Sequence, residues 1–369
     1  MYFRPPARRR RLIPRTLIII IAAAAAGAFI LLYFLGVIPS FGFLGNVHEL
    51  DFSLPETVSA SKNGILYNQN DTLHLIDTQG KESWSLNLEL TEAKTETSEE
   101  LIVNYASKTM QVMSYTKEQM FNTSLDSEIL DTAAGVKTVA ALTNTPNEAG
   151  TSANYIHLFN LSGEPTGQID YFAAWQVIDF GFYGDSDMFW VLALNSGGVV
   201  PESIIATFKP DGSLTTNISV NTELIEQVYV TDSSIYTSGT NNLSSYTYFS
   251  VLQAEQQIYG WHPAAVSLQP QAMKLALAPR SRSAEIDAAR IYSEDLSNVH
   301  VRLPRNVFSL AVTQGRLYAF TAGSVYVYTL DGVLDKQIPL DSEIVKAKQV
   351  SDTCAILWSN QKSYVMNLS

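Results

Sequence analysis

TLHLIDTQGKESWSLNL, residues 72–88, contains the unit from which most of the chain is built. Leu73, Leu75 and Asp77 fall on one side of a two-residue period and Thr72, His74 and Ile76 on the other, the pattern of a β-strand. Asp77-Thr78-Gln79-Gly80 is a tight turn, because Asp bonds to nearby backbone and Gly accepts a positive φ. A second strand from residue 82 to 88 then returns antiparallel, which completes a hairpin.

The same strand, polar turn and strand recur at residues 110–125, 155–169, 204–220, 246–261, 287–303 and 325–340. Their turns are placed at Lys117-Glu118-Gln119, Leu161-Ser162-Gly163-Glu164, Lys209-Pro210-Asp211-Gly212, Gln253-Ala254-Glu255, Ser293-Glu294-Asp295 and Leu330-Asp331-Gly332. Spacings of roughly 35 to 50 residues match a four-stranded propeller blade. Apolar segments between the hairpins, at 64–67, 100–105, 188–194, 234–237, 316–321 and 354–359, are expected to be the inner strands. An eighth unit begins at Ser363 and lacks its outer strand. The alternating segment 47–54, VHELDFSL, is available to supply it and close the ring. The expectation is an all-β, eight-bladed β-propeller over 47–369. Seven blades is the alternative, with the second or sixth unit as an insertion.

The first residues have a different character. Arg4, Arg8, Arg9, Arg10, Arg11 and Arg15 crowd residues 1–16 without an acid, and 17–38 is an uncharged, mostly apolar stretch. Twenty-two residues at ~1.5 Å each give about 33 Å, enough for a bilayer core. A cleaved signal peptide is the rival, but only residues 17–21 precede the small Ala22–Ala26 run, too short for its apolar region. The expectation is therefore an uncleaved transmembrane helix in the cytoplasmic membrane. Arg8, Arg9, Arg10, Arg11 and Arg15 would hold the N-terminus inside and leave the propeller outside. Residues 39–46 form a linker that reaches at most ~28 Å.

Removing the six N-terminal arginines leaves 18 basic residues against 36 acidic ones, so the exported part is near −18 and repels nucleic acid. Its arginines are confined to Arg280, Arg282, Arg290, Arg302, Arg305 and Arg316. The first five are candidates for contact with an anion or a partner, since guanidinium forks suit carboxylates and phosphates; solvated arginines offsetting acidic neighbours are the bland alternative. They begin in what reads as the longest insertion, 262–284; residues 143–154 and 195–203 are the other loops expected to protrude.

Catalytic chemistry is not concentrated anywhere. His48, His74, His157, His262 and His300 are scattered without metal-ligand spacing, and Asp185-x-Asp187 lacks the later ligands of a calcium loop. No nucleophile elbow, phosphate loop or dinucleotide motif is present. The lone Cys354 sits in an apolar run, which excludes an intramolecular disulfide and suggests a buried thiol. Trp84, Trp175, Trp190, Trp261 and Trp358 are expected to fill wedges between blades.

The run LHLIDTQGKESWSL, residues 73–86, resembles the repeat of PQQ-type propellers, in which an apolar strand, Asp, Thr-Gly-Lys and Trp mark each blade. Quinone-using members add a disulfide between adjacent cysteines and a calcium site. This chain has neither, so the resemblance implies the fold and no cofactor. Over its whole length the chain is similar to an uncharacterised family of membrane-anchored propellers of Gram-positive bacteria, with a more distant likeness to propeller subunits of outer-membrane assembly machines. These readings imply a non-catalytic module that binds an envelope protein or polymer, with the membrane as its other partner. A quinone- or carbohydrate-processing enzyme is the alternative.

Overall fold

The turn at Asp77–Gly80 is one of seven with a single hydrogen-bond pattern. Asp77 N–H donates to Lys81 O at 2.9 Å and Gly80 N–H to Asp77 O at 3.0 Å. The same pair of bonds closes turns 114–118, 160–164, 209–213, 247–251, 293–297 and 329–333. In each, the fourth residue has a positive φ: Gly80, Lys117, Gly163, Gly212, Ser250, Leu296 and Gly332, at 60° to 86°. This is a type I turn followed by a left-handed bulge residue. Glycine takes that conformation freely, whereas a side chain costs roughly 1–2 kcal/mol. Lys117→Gly, at an exposed turn with φ +67°, should therefore stabilise the protein by up to about 1 kcal/mol, read as a higher urea midpoint. Lys117→Ala should show no gain.

The structure, a computed structural model, describes residues 47–61, 64–146, 152–185, 187–280 and 285–368. Each turn joins the third and fourth strands of a four-stranded antiparallel sheet. In blade one these sheets run outward from β2 (Val58–Ser61) through β3 (Gly64–Gln69) and β4 (Thr72–Ile76) to β5 (Glu82–Asn87). Seven sheets repeat this order, and an eighth contains β30 (Ile344–Gln349), β31 (Cys354–Ser359) and β32 (Ser363–Asn367). Its outer strand is β1 (Val47–Glu49), with Val47 opposite Met366 and Glu49 opposite Tyr364. The propeller has eight blades, closed by a strand from the other end of the chain as expected. Beyond β1, Leu54 N–H donates to Ser363 Oγ at 2.9 Å and the Trp358 indole donates to Leu54 O at 3.0 Å.

Four sequence expectations need correction. The segments taken as inner strands are the second strand of each blade. The innermost ones, such as β6 (Lys94–Thr97) and β10 (Ile129–Ala134), are short and partly polar because one edge faces the central channel, which removes the alternation that marks a half-buried strand. The fifth hairpin turns at 247–251, and Gln253-Ala254-Glu255 belongs to β21 (Leu252–Gln257). The small buried Ser244 and Ser245 disguise its third strand, β20 (Asn242–Tyr246), as loop. The described part of the expected insertion at 262–284 is regular structure, because β22 (Trp261–Gln269) and β23 (Ala272–Pro279) form the inner hairpin of blade six. Pro263 falls at a bulge on the open side of an innermost strand, where a missing N–H is tolerated. Finally, 143–154 is largely a two-stranded ribbon, in which β11 (Thr138–Pro146) pairs with β12 (Ser152–Asn160) as far as Pro146 opposite Ser152. The expected loop at 195–203 does exist, between β15 (Met188–Asn195) and β16 (Glu202–Phe208), and Val199 in it is fully exposed.

The core is divided into eight apolar clusters, each spanning two neighbouring blades. The five tryptophans each pack in a different one of these wedges. Cys354 is buried in the wedge between blades eight and one, and burial pushes its thiol pKa up. The transmembrane, tail and linker expectations, 1–46, lie outside the described residues. No helix among the described residues is long and apolar enough to cross a membrane.

Candidate binding surfaces at the channel and at blade six

The innermost strands surround a cavity of about 830 Å³, lined by residues that include Ser61, Thr97, Ala265, Gln269 and Lys348. Five of these strands carry a one-residue bulge near their start, with Leu130, Ile178, Glu226, Ala264 and Val345 as the extra residues. Bulges at a barrel or propeller rim re-aim side chains. Leu130, Ile178 and Val345 are between 41% and 52% exposed.

Just past two of these bulges, on blades three and four, lie Asp131 and Asp179, and the charge of each acts on Glu96 of blade two. Asp131 accepts from Thr132 N–H at 2.8 Å and from the Tyr105 hydroxyl at 3.1 Å. Asp179 accepts from Phe180 N–H at 2.8 Å, and its pKa is raised, mainly by burial. Water reaches Glu96 along the channel, yet the surrounding strands keep it short of bulk solvation. Burial first, and Asp131 second, push its pKa up to about 7, while Lys348 and Lys94 pull it back. Among the described residues, no group of three or more His, Cys, Asp or Glu could hold a metal ion.

Glu96 should make stability depend on pH. Its carboxyl binds a proton more tightly in the folded chain than unfolded, so its contribution is fully present below about 4.5 and is lost as pH rises through about 7. Glu96→Gln should match the wild type at pH 4.5 and exceed it at pH 8. Screening by channel water holds the difference to about 1 kcal/mol. Denaturant midpoints across this range would show the gap opening; a constant gap would remove Glu96 as its source.

Of the candidate arginines, Arg280, Arg290 and Arg302 lie on blade six and Arg305 just after it. Arg280, just past β23, donates through Nε to Trp261 O at 3.0 Å and pairs with Glu226 of blade five. Arg290, in β24 (Ala288–Tyr292), lies over the Trp261 ring at 4.4 Å, a cation–π contact. It is directly opposite His300 in β25 (Asn298–Arg302), whose ring meets Trp261 edge-on at 5.9 Å. Arg302 ends β25 and Arg305 follows in the connection to blade seven; both are exposed. Arg282 lies outside the described residues. Arg316, in contrast, pairs with Asp335 on blade seven.

The remaining sequence candidates resolve into structural roles. His74 stacks on Tyr67 at 4.9 Å and bonds to Glu82 at 2.9 Å. His157 bonds to Thr143 at 3.0 Å, and burial lowers its pKa. Asp187 is a buried latch, each carboxylate oxygen accepting one of the Val136 and Lys137 N–H groups at 2.6 Å across blades three and four.

These features define an eight-bladed propeller with a strand-exchange closure. Among solved structures it is similar to BamB from Moraxella catarrhalis, at 11% identity and a TM-score of 0.51, covering 87% of this chain and 98% of that one. The WD40 domain of SCAP from fission yeast matches at 10% identity and 0.59, covering 88% and 94%. A eukaryotic initiation factor matches at 10% and 0.56, covering 86% of each. At these identities the likeness establishes the fold alone. No protein-family model and no curated protein matches the chain.

Proposed function

We propose that the chain is a single-pass membrane protein that displays a non-catalytic, PQQ-like propeller outside the cytoplasmic membrane as a binding or scaffolding module. The observation that carries this reading is the register of β1. With Val47 opposite Met366, β1 begins at the edge that carries the turns between third and fourth strands. A span at 17–38 and a linker reaching at most ~28 Å would keep that edge near the bilayer. The opposite edge, with the channel mouth bulges and the arginines, then faces away and is free for a partner. Propeller rings commonly serve as binding platforms, and among the described residues no group of three or more His, Cys, Asp or Glu gathers as a metal site would require.

The topology is tested with Gly198→Cys, in the exposed loop after β15, treated in intact cells with a membrane-impermeant maleimide. Buried Cys354, with its raised pKa, gives little background. Labelling in intact cells equal to that after lysis is expected. Labelling only after lysis would remove the external placement, and release of the protein by alkaline carbonate would remove the anchor.

A further inference from the structure

The blade-six arginines form more than a scattered countercharge. Arg290 and His300 are paired across β24 and β25, and Arg302 is two residues beyond His300, so all three point to the face of the sheet that meets blade five. Trp261 packs in the wedge between those two blades and anchors Arg290 through its ring and Arg280 through its carbonyl. Tyr259, 77% exposed, extends this edge from the connection out of blade five. Arg280 has Glu226 as its acid, whereas Arg302 and Arg305 have no acidic partner among the described residues. The outer strands of the other blades carry either an acid, as Glu82 in β5, Glu255 in β21, Asp335 in β29 (Leu334–Pro339) and Glu49 in β1, or, at 119–124, 165–169 and 214–220, no charge. β25 has only His300 and Arg302 as titratable groups, and it ends its sheet with one side unpaired.

From this combination we propose that the outer edge of blade six is a docking site for an extended acidic segment of a partner protein, added as a fifth strand beside β25. Side chains on one face of a strand recur every two residues, about 6.6–6.8 Å apart. An alternating acidic strand would therefore set successive carboxylates against His300 and Arg302, and Arg305, in the turn just past the end of β25, would add positive charge at that end. Backbone bonds along the open edge would supply affinity and the guanidinium forks would supply the selection for acid. The surrounding domain, with twice as many acids as bases, would repel such a segment elsewhere and steer it to this edge. This inference rests on the binding-module reading and is independent of the membrane anchor.

The test uses the full chain in detergent and a fluorescein-labelled ten-residue peptide of alternating Glu and Thr, at low salt. Wild type should bind it, and should bind the Gln-Thr analogue at least tenfold more weakly. Arg302→Gln with Arg305→Gln should weaken binding at least tenfold. Lys209→Gln, the same kind of charge loss on blade four, should leave it unchanged. N-methylation of alternate peptide nitrogens should also abolish binding, because it blocks strand addition. Absence of binding by wild type, equal loss in Lys209→Gln, or indifference to N-methylation would overturn the proposal. Tighter binding of polyphosphate at equal charge would reassign the edge to a phosphate polymer. If the peptide fails while a partner captured from membranes is retained by the double variant, the module reading survives and this surface does not.

Discussion

Gly64→Ala should cost on the order of 3 kcal/mol and lower the melting temperature by roughly 6–10 °C. Gly64 begins β3 next to the innermost strand of blade one, at φ +158°, and its neighbour Ile65 is paired with Ile76 of β4. A Cβ there would lie 1.9 Å from the Ile76 carbonyl oxygen and 2.9 Å from its carbon. Both are backbone atoms, so relief requires β3 and β4 to separate beside the turn of the hairpin that defines the repeat. Gly315→Ala is the natural control, with nothing within 4 Å of the added carbon and no positive φ. It should be neutral within about 0.5 kcal/mol. Thermal unfolding of the two variants against wild type checks the contrast. Equal melting temperatures for all three would mean that β3 and β4 yield more easily than close packing permits.

The hairpins were readable because two local signals coincide in them. A half-buried strand alternates, and a turn that needs a left-handed residue favours Gly after Asp, as at Gly80, Gly212 and Gly332. Where the left-handed position is Ser250 the second signal disappears, and the sequence alone points to a fifth turn some residues beyond 247–251. The innermost strands were missed for a different reason. KTET in β6 reads as solvent-exposed polar sequence, although Glu96 there faces a channel walled by other blades. That environment is assembled from segments tens to hundreds of residues apart, so no local window contains it.

The candidate site was legible in composition and illegible in geometry. Beyond the N-terminal six, the arginines fall within one tenth of the chain, and the described ones among 280–305 lie on or just after blade six. That Arg290 rests on Trp261 and faces His300 depends on the pairing of three strands, which composition does not specify. The reverse holds for Asp187. Its motif suggests an ion, yet its carboxylate is satisfied by two backbone N–H groups fifty residues away in sequence, which explains why an acid can be buried there without a counterion.

Trp358→Ala should be the most damaging of the tryptophan truncations, at about 3–5 kcal/mol. Its ring fills the wedge between blades eight and one, its indole N–H bonds to Leu54 O at 3.0 Å, and Lys346 lies over it at 5.6 Å. Leu54 is 304 residues away in sequence, so this contact ties the closing segment to the last blade directly. Truncation opens a cavity and leaves a buried carbonyl unpaired where the ring is joined without a covalent bond. Trp358→Phe separates the two effects, because it keeps most of the bulk and loses only the hydrogen bond, at about 1–3 kcal/mol. Trp84→Ala, in the wedge between blades one and two, should cost less because Trp84 is only partly buried and binds no closing strand. Denaturant unfolding of the three variants gives the order directly. If Trp84→Ala proved the more destabilising, the joint between blades eight and one would not be where the ring's stability is decided, and closure would rest on the three paired residues of β1 with the Leu50 and Leu54 bonds to Ser363.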